Sequence, residues 1–202
     1  LQELILLGIF GLAGATTYQF FQGRRKNLEL MREYVRELEN SLKPKDKTYT
    51  LLGLYSGFKA KLLIDDELVK EVEASVGLMP RESLLYYPIS FFTLKHDRFY
   101  LVFKLNRKPK YAGHIVKKKV LSYSKANFNE FKVKEVSLHG HKYLSDCDQT
   151  CFETLKEVIV SPNVLHVALT PKTKVFYIFM KPRLGLPSRV IQRAVRVLPK
   201  LV

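Results

Sequence analysis

The 202-residue chain has no tryptophan, only two cysteines, and only 11 asparagines and glutamines together. Two cysteines cannot staple a chain of this size, so a disulfide scaffold is excluded and an oxidising compartment is not implied. Few amides beside abundant lysine is a composition met in heat-adapted proteins. There is no Pro/Ser/Gly tract and no long block of like charge, which argues against extended disorder. The motifs GxSxG, GxGxxG, HExxH and the P-loop are missing as well. No catalytic constellation can be assembled from what remains, and a non-enzymatic role is the expectation.

Negative charge is also scarce, and unevenly so. The net charge is +15, and no acidic residue follows Glu157. Residues 24–103 carry +2, whereas residues 104–202 carry +14. Such asymmetry predicts an anionic partner on one side of the molecule, either lipid headgroups, an acidic protein or nucleic acid. A basic surface kept only for solubility is the alternative.

What the sequence does have is LILLGIFGLAGATTYQFFQGRRK, residues 4–26. As a helix, residues 4–21 would span ~27 Å at about 1.5 Å per residue, close to a hydrocarbon core of about 30 Å. Ala13-Gly14-Ala15 resembles the small residues of a signal-peptide cleavage site. However, Glu3 rather than a basic cluster precedes the run, and Arg24, Arg25 and Lys26 follow it directly. Basic residues there resist translocation and hold the carboxyl side in the cytoplasm. The expectation is a retained single-pass transmembrane anchor over 1–23 in the cell membrane, with the remainder cytoplasmic.

Residues 24–47 then read as a juxtamembrane helix and linker. Leu28, Met31, Val35, Leu38 and Leu42 form a seam at alternating spacings of three and four. Two heptads either pair two chains in parallel through residues 28–42 or dock on the chain's own domain, the second being expected. Pro44 ends the helix.

Residues 48–202 predict an α+β domain, a mostly antiparallel sheet covered by helices. TYTLLGLYSGFKAKLLI predicts strand residues broken at Ser56-Gly57, and DDELVKEVEASV predicts a short helix with an acidic start at Asp65, Asp66 and Glu67. LLYYPISFFTL and RFYLVFKL predict a hairpin around Lys95-His96-Asp97. Further strands are expected around 111–123, followed by a polar loop. FKVKEVSL (131–138) predicts a strand, and DCDQTCFETLKEVIV a helix capped by Ser145 or Asp146. VLHVALT and KVFYIFM predict a second hairpin around Pro171. The recurrence of strand, helix, strand, strand raises a duplicated βαββ unit.

Two sets of residues offer sites. His139 and His141, with Cys147 and Cys151 four apart near a helix start, would make a tetrahedral zinc set if the backbone turned at Gly140. An ordinary capped helix with a buried thiol is the competing reading. The second set is basic. Pro187 suits the first turn of a final helix and Pro199 its end. Along it Arg189, Arg193, Arg196 and Lys200 form one stripe, opposite the apolar Val190, Ile191, Ala194, Val197 and Leu198. With Arg24, Arg25, Lys26 and Lys117, Lys118, Lys119 they are the candidate contacts to an anionic surface. The functional expectation is a membrane-anchored cytoplasmic binding or scaffolding domain facing anionic lipid or an acidic partner. The alternatives are nucleic-acid binding at the membrane, through aromatic, basic strands such as KHDRFYLVFKLNRK, or a metal-dependent enzyme.

Overall fold

A computed structural model describes residues 1–120 and 133–202. One unbroken helix, α1 (Gln2–Leu42, 41 residues), opens the chain. At about 1.5 Å per residue it is ~60 Å long. Its amino-terminal part contains an 18-residue window of mean hydropathy 1.6, none of it buried, long and apolar enough to cross a membrane. Thr16 satisfies its hydroxyl within the helix by donating to the Leu12 carbonyl at 2.7 Å.

The remainder is α+β, in the order β1 (Asp46–Leu51), β2 (Gly57–Leu63), β3 (Val69–Gly77), α2 (Tyr86–Thr93), β4 (Arg98–Leu105), β5 (Gly113–Lys117), β6 (Lys134–Leu138), β7 (His141–Ser145), α3 (Gln149–Lys156), β8 (Val164–Thr170), β9 (Val175–Met180) and α4 (Leu186–Leu201). The nine strands form one antiparallel sheet in the order β1-β2-β3-β4-β9-β8-β5-β7-β6. Period-2 alternation builds its covered face: Phe58, Ala60 and Leu62 of β2 point inward while Lys59 and Lys61 point out. Phe99, Leu101 and Phe103 of β4 and Phe176 and Ile178 of β9 continue that face. It is covered by the carboxyl half of α1, by α4 and by α3, which supply Met31, Tyr34, Leu38, Val190, Val197 and Leu155 to one core. The 28–42 seam therefore docks on its own domain. The buried stripe is rotated from the expected one, running through Gly23, Asn27, Met31, Tyr34 and Leu38, with Leu28 and Val35 at the edge of an apolar groove beside Tyr49 and Phe58.

Several expectations are corrected. Residues 65–77 do not form a helix. Val69–Gly77 is strand β3, and Asp66 holds the preceding turn by accepting from the N–H groups of Leu68 and Val69 at 2.7 and 3.0 Å. The apolar residues also fit an alternation, Val72, Ala74, Val76, once a bulge at Val69/Glu71 is allowed. Cross-strand charges fix it: Glu71 pairs with Lys61 and Lys104 at 3.1 and 2.9 Å, and Glu73 with Lys104 at 2.6 Å.

The stretch 84–94 is not a strand, and Lys95-His96-Asp97 is not a hairpin turn, because Tyr86–Thr93 is helix α2. Pro88 sits in its first turn, where its missing N–H leaves no helical bond unmade. The cap of α3 is Asp148, which accepts from the Cys151 N–H at 2.8 Å, rather than Ser145 or Asp146. Pro199 lies inside the last turn of α4, which continues to Leu201. A duplicated unit is not confirmed. The strand after α2 pairs with the strand before that helix, β3, whereas the strand after α3 pairs with β5 and β9. Residues 131–132 of the expected strand, and 121–130 with its polar loop, lie outside the described residues.

A buried polar junction joins α1 to the domain. Asn27, wholly buried, donates from Nδ2 to the carbonyls of Tyr55 and Met79 at 2.9 and 3.0 Å. Its Oδ1 accepts from Arg81 Nη1 at 2.9 Å, and the same guanidinium grips Asp97 through two bonds at 3.0 and 2.6 Å. Gly23, one turn earlier, packs so tightly that a Cβ there would stand 2.1 Å from the Arg81 carbonyl. Asn27→Leu leaves two buried carbonyls and part of a guanidinium unpaired, and is expected to destabilise the domain by about 2–3 kcal/mol. Urea unfolding of the full chain in mild detergent checks this, with the exposed Asn40→Leu expected to change little.

Candidate functional site

The basic residues fall into two groups, separated by the fold. At the end of the apolar part of α1, Arg24 lies over the Tyr55 ring, 4.7 Å from its centroid, and Arg25 pairs with Glu29 at 3.0 Å. Lys26 is exposed. The β1–β2 turn carrying Tyr55 and the β3–α2 segment carrying Arg81 both close on this part of the helix, where Gln19 Nε2 also donates to the Arg81 carbonyl at 2.7 Å.

The register shows what else stands at this end of the sheet. Gly57 pairs with Gly77 and Gly77 with Arg98, Phe99 with Met180, and Met180 with Val164. Lys117 lies one residue beyond the Val116–His166 pair at the same end. Lys117, Lys118 and Lys119 therefore share a sheet end with Tyr55, Arg81, Arg98 and Lys181, although several strands lie between them and α1. Lys117 Nζ donates to the Pro162 carbonyl at 2.8 Å. Burial first, then the charges of Lys119 and Lys181, hold its pKa below the usual lysine value. Lys118 and Lys142 converge on Glu135 at 2.7 and 2.8 Å, and their hydrogen bonds draw that carboxyl down to about 2.

The α4 stripe stands elsewhere. The backbone N–H groups of Gly185 and Ser188 donate to Glu37 at 2.7 and 3.1 Å, and Ser41 and Ser188 share a hydroxyl bond at 2.9 Å. Glu37 is 14 residues beyond Gly23, which along the helix is ~21 Å. That exceeds a Debye length of about 8 Å at physiological salt, so charges at the two places act separately. Val190, Ile191, Ala194, Val197 and Leu198 are all buried, as their spacing predicted. On the outer side Arg189, Arg193 and Arg196 line a cavity of about 600 Å³ with His139 and Lys156. Lys200 pairs with Glu157 at 2.9 Å, and that bond lowers the Glu157 pKa.

The candidate zinc set is not brought together. Among the described residues no three His, Cys, Asp or Glu side chains gather around a common point. His139 occupies a left-handed turn residue at the β6–β7 tip and bonds through Nε2 to the Ile159 carbonyl at 2.6 Å. His141 begins β7, whose length separates it from the thiols. Cys147 and Cys151 do meet, by a thiol–thiol hydrogen bond that lowers the Cys147 pKa and raises that of Cys151. Cys147 also approaches the His114 carbonyl at 3.6 Å.

Two features escaped the sequence. The Asn27–Arg81–Asp97 junction is one, although Gly23, Asn27, Met31 and Tyr34 do share a helix face. The other is a histidine–aromatic row on the sheet face opposite the helices, which joins residues far apart in the chain. His114 Nδ1 and His166 Nε2 lie 3.2 Å apart, so one ring donates and the other accepts. Tyr177 meets His166 edge-on at 5.1 Å, and Phe179 stacks on Tyr100 at 4.6 Å. Beside this row Thr50, Lys59, Lys61, Glu73, Ser75 and Tyr100 border a concavity of about 380 Å³.

Burial, then repulsion from His114, pushes the His166 pKa down to about 3, and burial lowers His114 too. With the folded values depressed, the stabilisation is complete above the unfolded pKa and is lost as pH falls from ~6.5 toward 3. His166 alone would remove about 2 kcal/mol between pH 6.5 and 5, before most carboxylates titrate. Urea unfolding across that window should show this loss, and His166→Gln should flatten it.

No protein-family model matches the chain, and comparison with curated proteins gives no significant match.

Proposed function

We propose that this chain is a single-pass membrane protein whose domain lies on the cytoplasmic side and serves as a binding or scaffolding module. Its basic surface meets anionic lipid headgroups or an acidic partner. The observation that carries this reading is the closure of two domain segments on Gln19–Asn27, where the apolar run of α1 gives way to Arg24, Arg25 and Lys26. A domain joined there sits against whatever surrounds the apolar run.

Each cation near an anionic leaflet contributes roughly 1 kcal/mol. The position of Arg24, Arg25 and Lys26 on the helix supports such a contact, and the shared sheet end supports it for Lys117, Lys118 and Lys119. The separate cavity beside Arg189, Arg193 and Arg196 suits an acidic partner better than a headgroup plane, because α4 begins ~21 Å along α1 from Gly23. The cytoplasmic side follows from the basic cluster after the apolar run.

The test is hydrogen exchange of the full chain in nanodiscs of neutral lipid and of neutral lipid with phosphatidylserine. Added protection over 113–120 in the anionic discs, lost on raising the salt, is the expected result, and Lys117→Glu/Lys118→Glu/Lys119→Glu should abolish it. Equal exchange in both discs overturns lipid contact by these lysines. Protection that arises only when an oligonucleotide is added replaces the reading with nucleic-acid binding.

A further inference from the structure

Residues 83–94, SLLYYPISFFTL, contain no charged side chain and are bounded by Arg81-Glu82 and Lys95. They form α2 and its flanks, yet the domain buries little of them. Leu85, Ile89, Phe91 and Phe92 are exposed, Phe92 at 84%, and among the residues of the helix itself only Ser90 is buried. The segment is a loop pinned at its base. The Met79 N–H and the Arg81 guanidinium both bind Asp97, at 2.7 Å and at 3.0 and 2.6 Å. That base rests on α1 at Gln19, Gly23 and Asn27.

The β1–β2 turn repeats the arrangement. Leu51 and Leu54 are exposed, while Tyr55 packs edge-on to Phe20 at 6.2 Å and lies under Arg24. Two separate apolar segments thus flank α1 at the level where its own exposed apolar side chains, Phe20 and Phe21, end. A soluble surface rarely carries so continuous an apolar patch without a partner. The chemistry fits one partner, the interfacial layer of a bilayer. Tyr86, Tyr87, Phe91 and Phe92 are side chains suited to a membrane–water boundary, and the basic Lys95 and Arg98 follow them in the chain.

We propose that α2 and the tip of the β1–β2 turn enter the lipid interface beside α1, so that the domain is seated on the bilayer at three places rather than hung from one. The inference rests on α1 spanning the membrane, and its occupant is argued from continuity with that helix. Held this way, the sheet keeps a fixed attitude to the lipid plane, with α4 and its arginines turned away from it.

The absence of tryptophan allows a direct test on the full chain. Single variants Phe10→Trp in the apolar run, Phe92→Trp in α2, Leu54→Trp in the turn and Val195→Trp on the exposed side of α4 are reconstituted into vesicles with or without brominated acyl chains. Phe10→Trp, Phe92→Trp and Leu54→Trp should emit to the blue and lose roughly half or more of their emission to bromine, as side chains within or at the edge of the lipid do, while Val195→Trp keeps its own. Ile89→Trp repeats the α2 measurement should Phe92→Trp fold poorly.

Quenching at Phe10→Trp without quenching in α2 and the turn overturns the seat while the span stands. No quenching at Phe10→Trp overturns the span itself. Blue emission in α2 that bromine does not quench means that protein, a second copy or a partner, covers the face instead, and the proposal fails.

Discussion

Everything in this architecture depends on the buried contact of Asn27 with Arg81 and Asp97. It is where the exposed apolar half of α1 gives way to the part packed on the sheet. Removing Asn27 exposes the desolvation cost of its partners, since two backbone carbonyls and part of a guanidinium are satisfied through its single amide. Arg81 ties its own segment to two others: to α1, through Asn27 and, by its carbonyl, Gln19, and to the residue before β4 through Asp97. A glycine at 23 lets the backbones touch there, as a larger residue would not. Below this junction the carboxyl half of α1 is an ordinary member of the helical layer, contributing Tyr34 against Phe99 and Leu38 to the common core.

What the sequence made legible follows from how local each signal is. The apolar run, the docking of the 24–42 helix, the β1–β2 break at Ser56-Gly57, the hairpin at Pro171 and the amphipathic α4 all lie within one helix face or one strand alternation. The α+β class followed from them. The two exchanged elements show the limit. In 68–76 the apolar residues satisfy a helical and a strand spacing alike, and pairing with β2 and β4, together with the charges of Lys61 and Lys104 there, decides between them. In 86–93 the aromatic composition favours a strand in isolation, but a proline in a first turn and an exposed setting favour a helix. The candidate site was legible as charge and not as place. The ten basic residues carry no mark of which end of the sheet they occupy, and the zinc quartet failed because β7 keeps the histidines from the thiols.

The sheet face opposite the helices shows a different economy. Strand β8 is buried nearly throughout because its outward residues join Tyr177, Phe179 and Val120 rather than water. Two histidines within that row keep a polar contact in an apolar setting, and burial there disfavours the protonated ring.

The continuity of α1 has a mechanical meaning. No proline, cap or loop interrupts its 41 residues, so nothing between its first turn and the domain core acts as a hinge. A lean or roll imposed on the apolar segment is carried undiminished into the strands packed against Tyr34 and Leu38. The helix is thus a lever arm as well as a tether, and the angle of its upper end sets the bearing of the whole sheet.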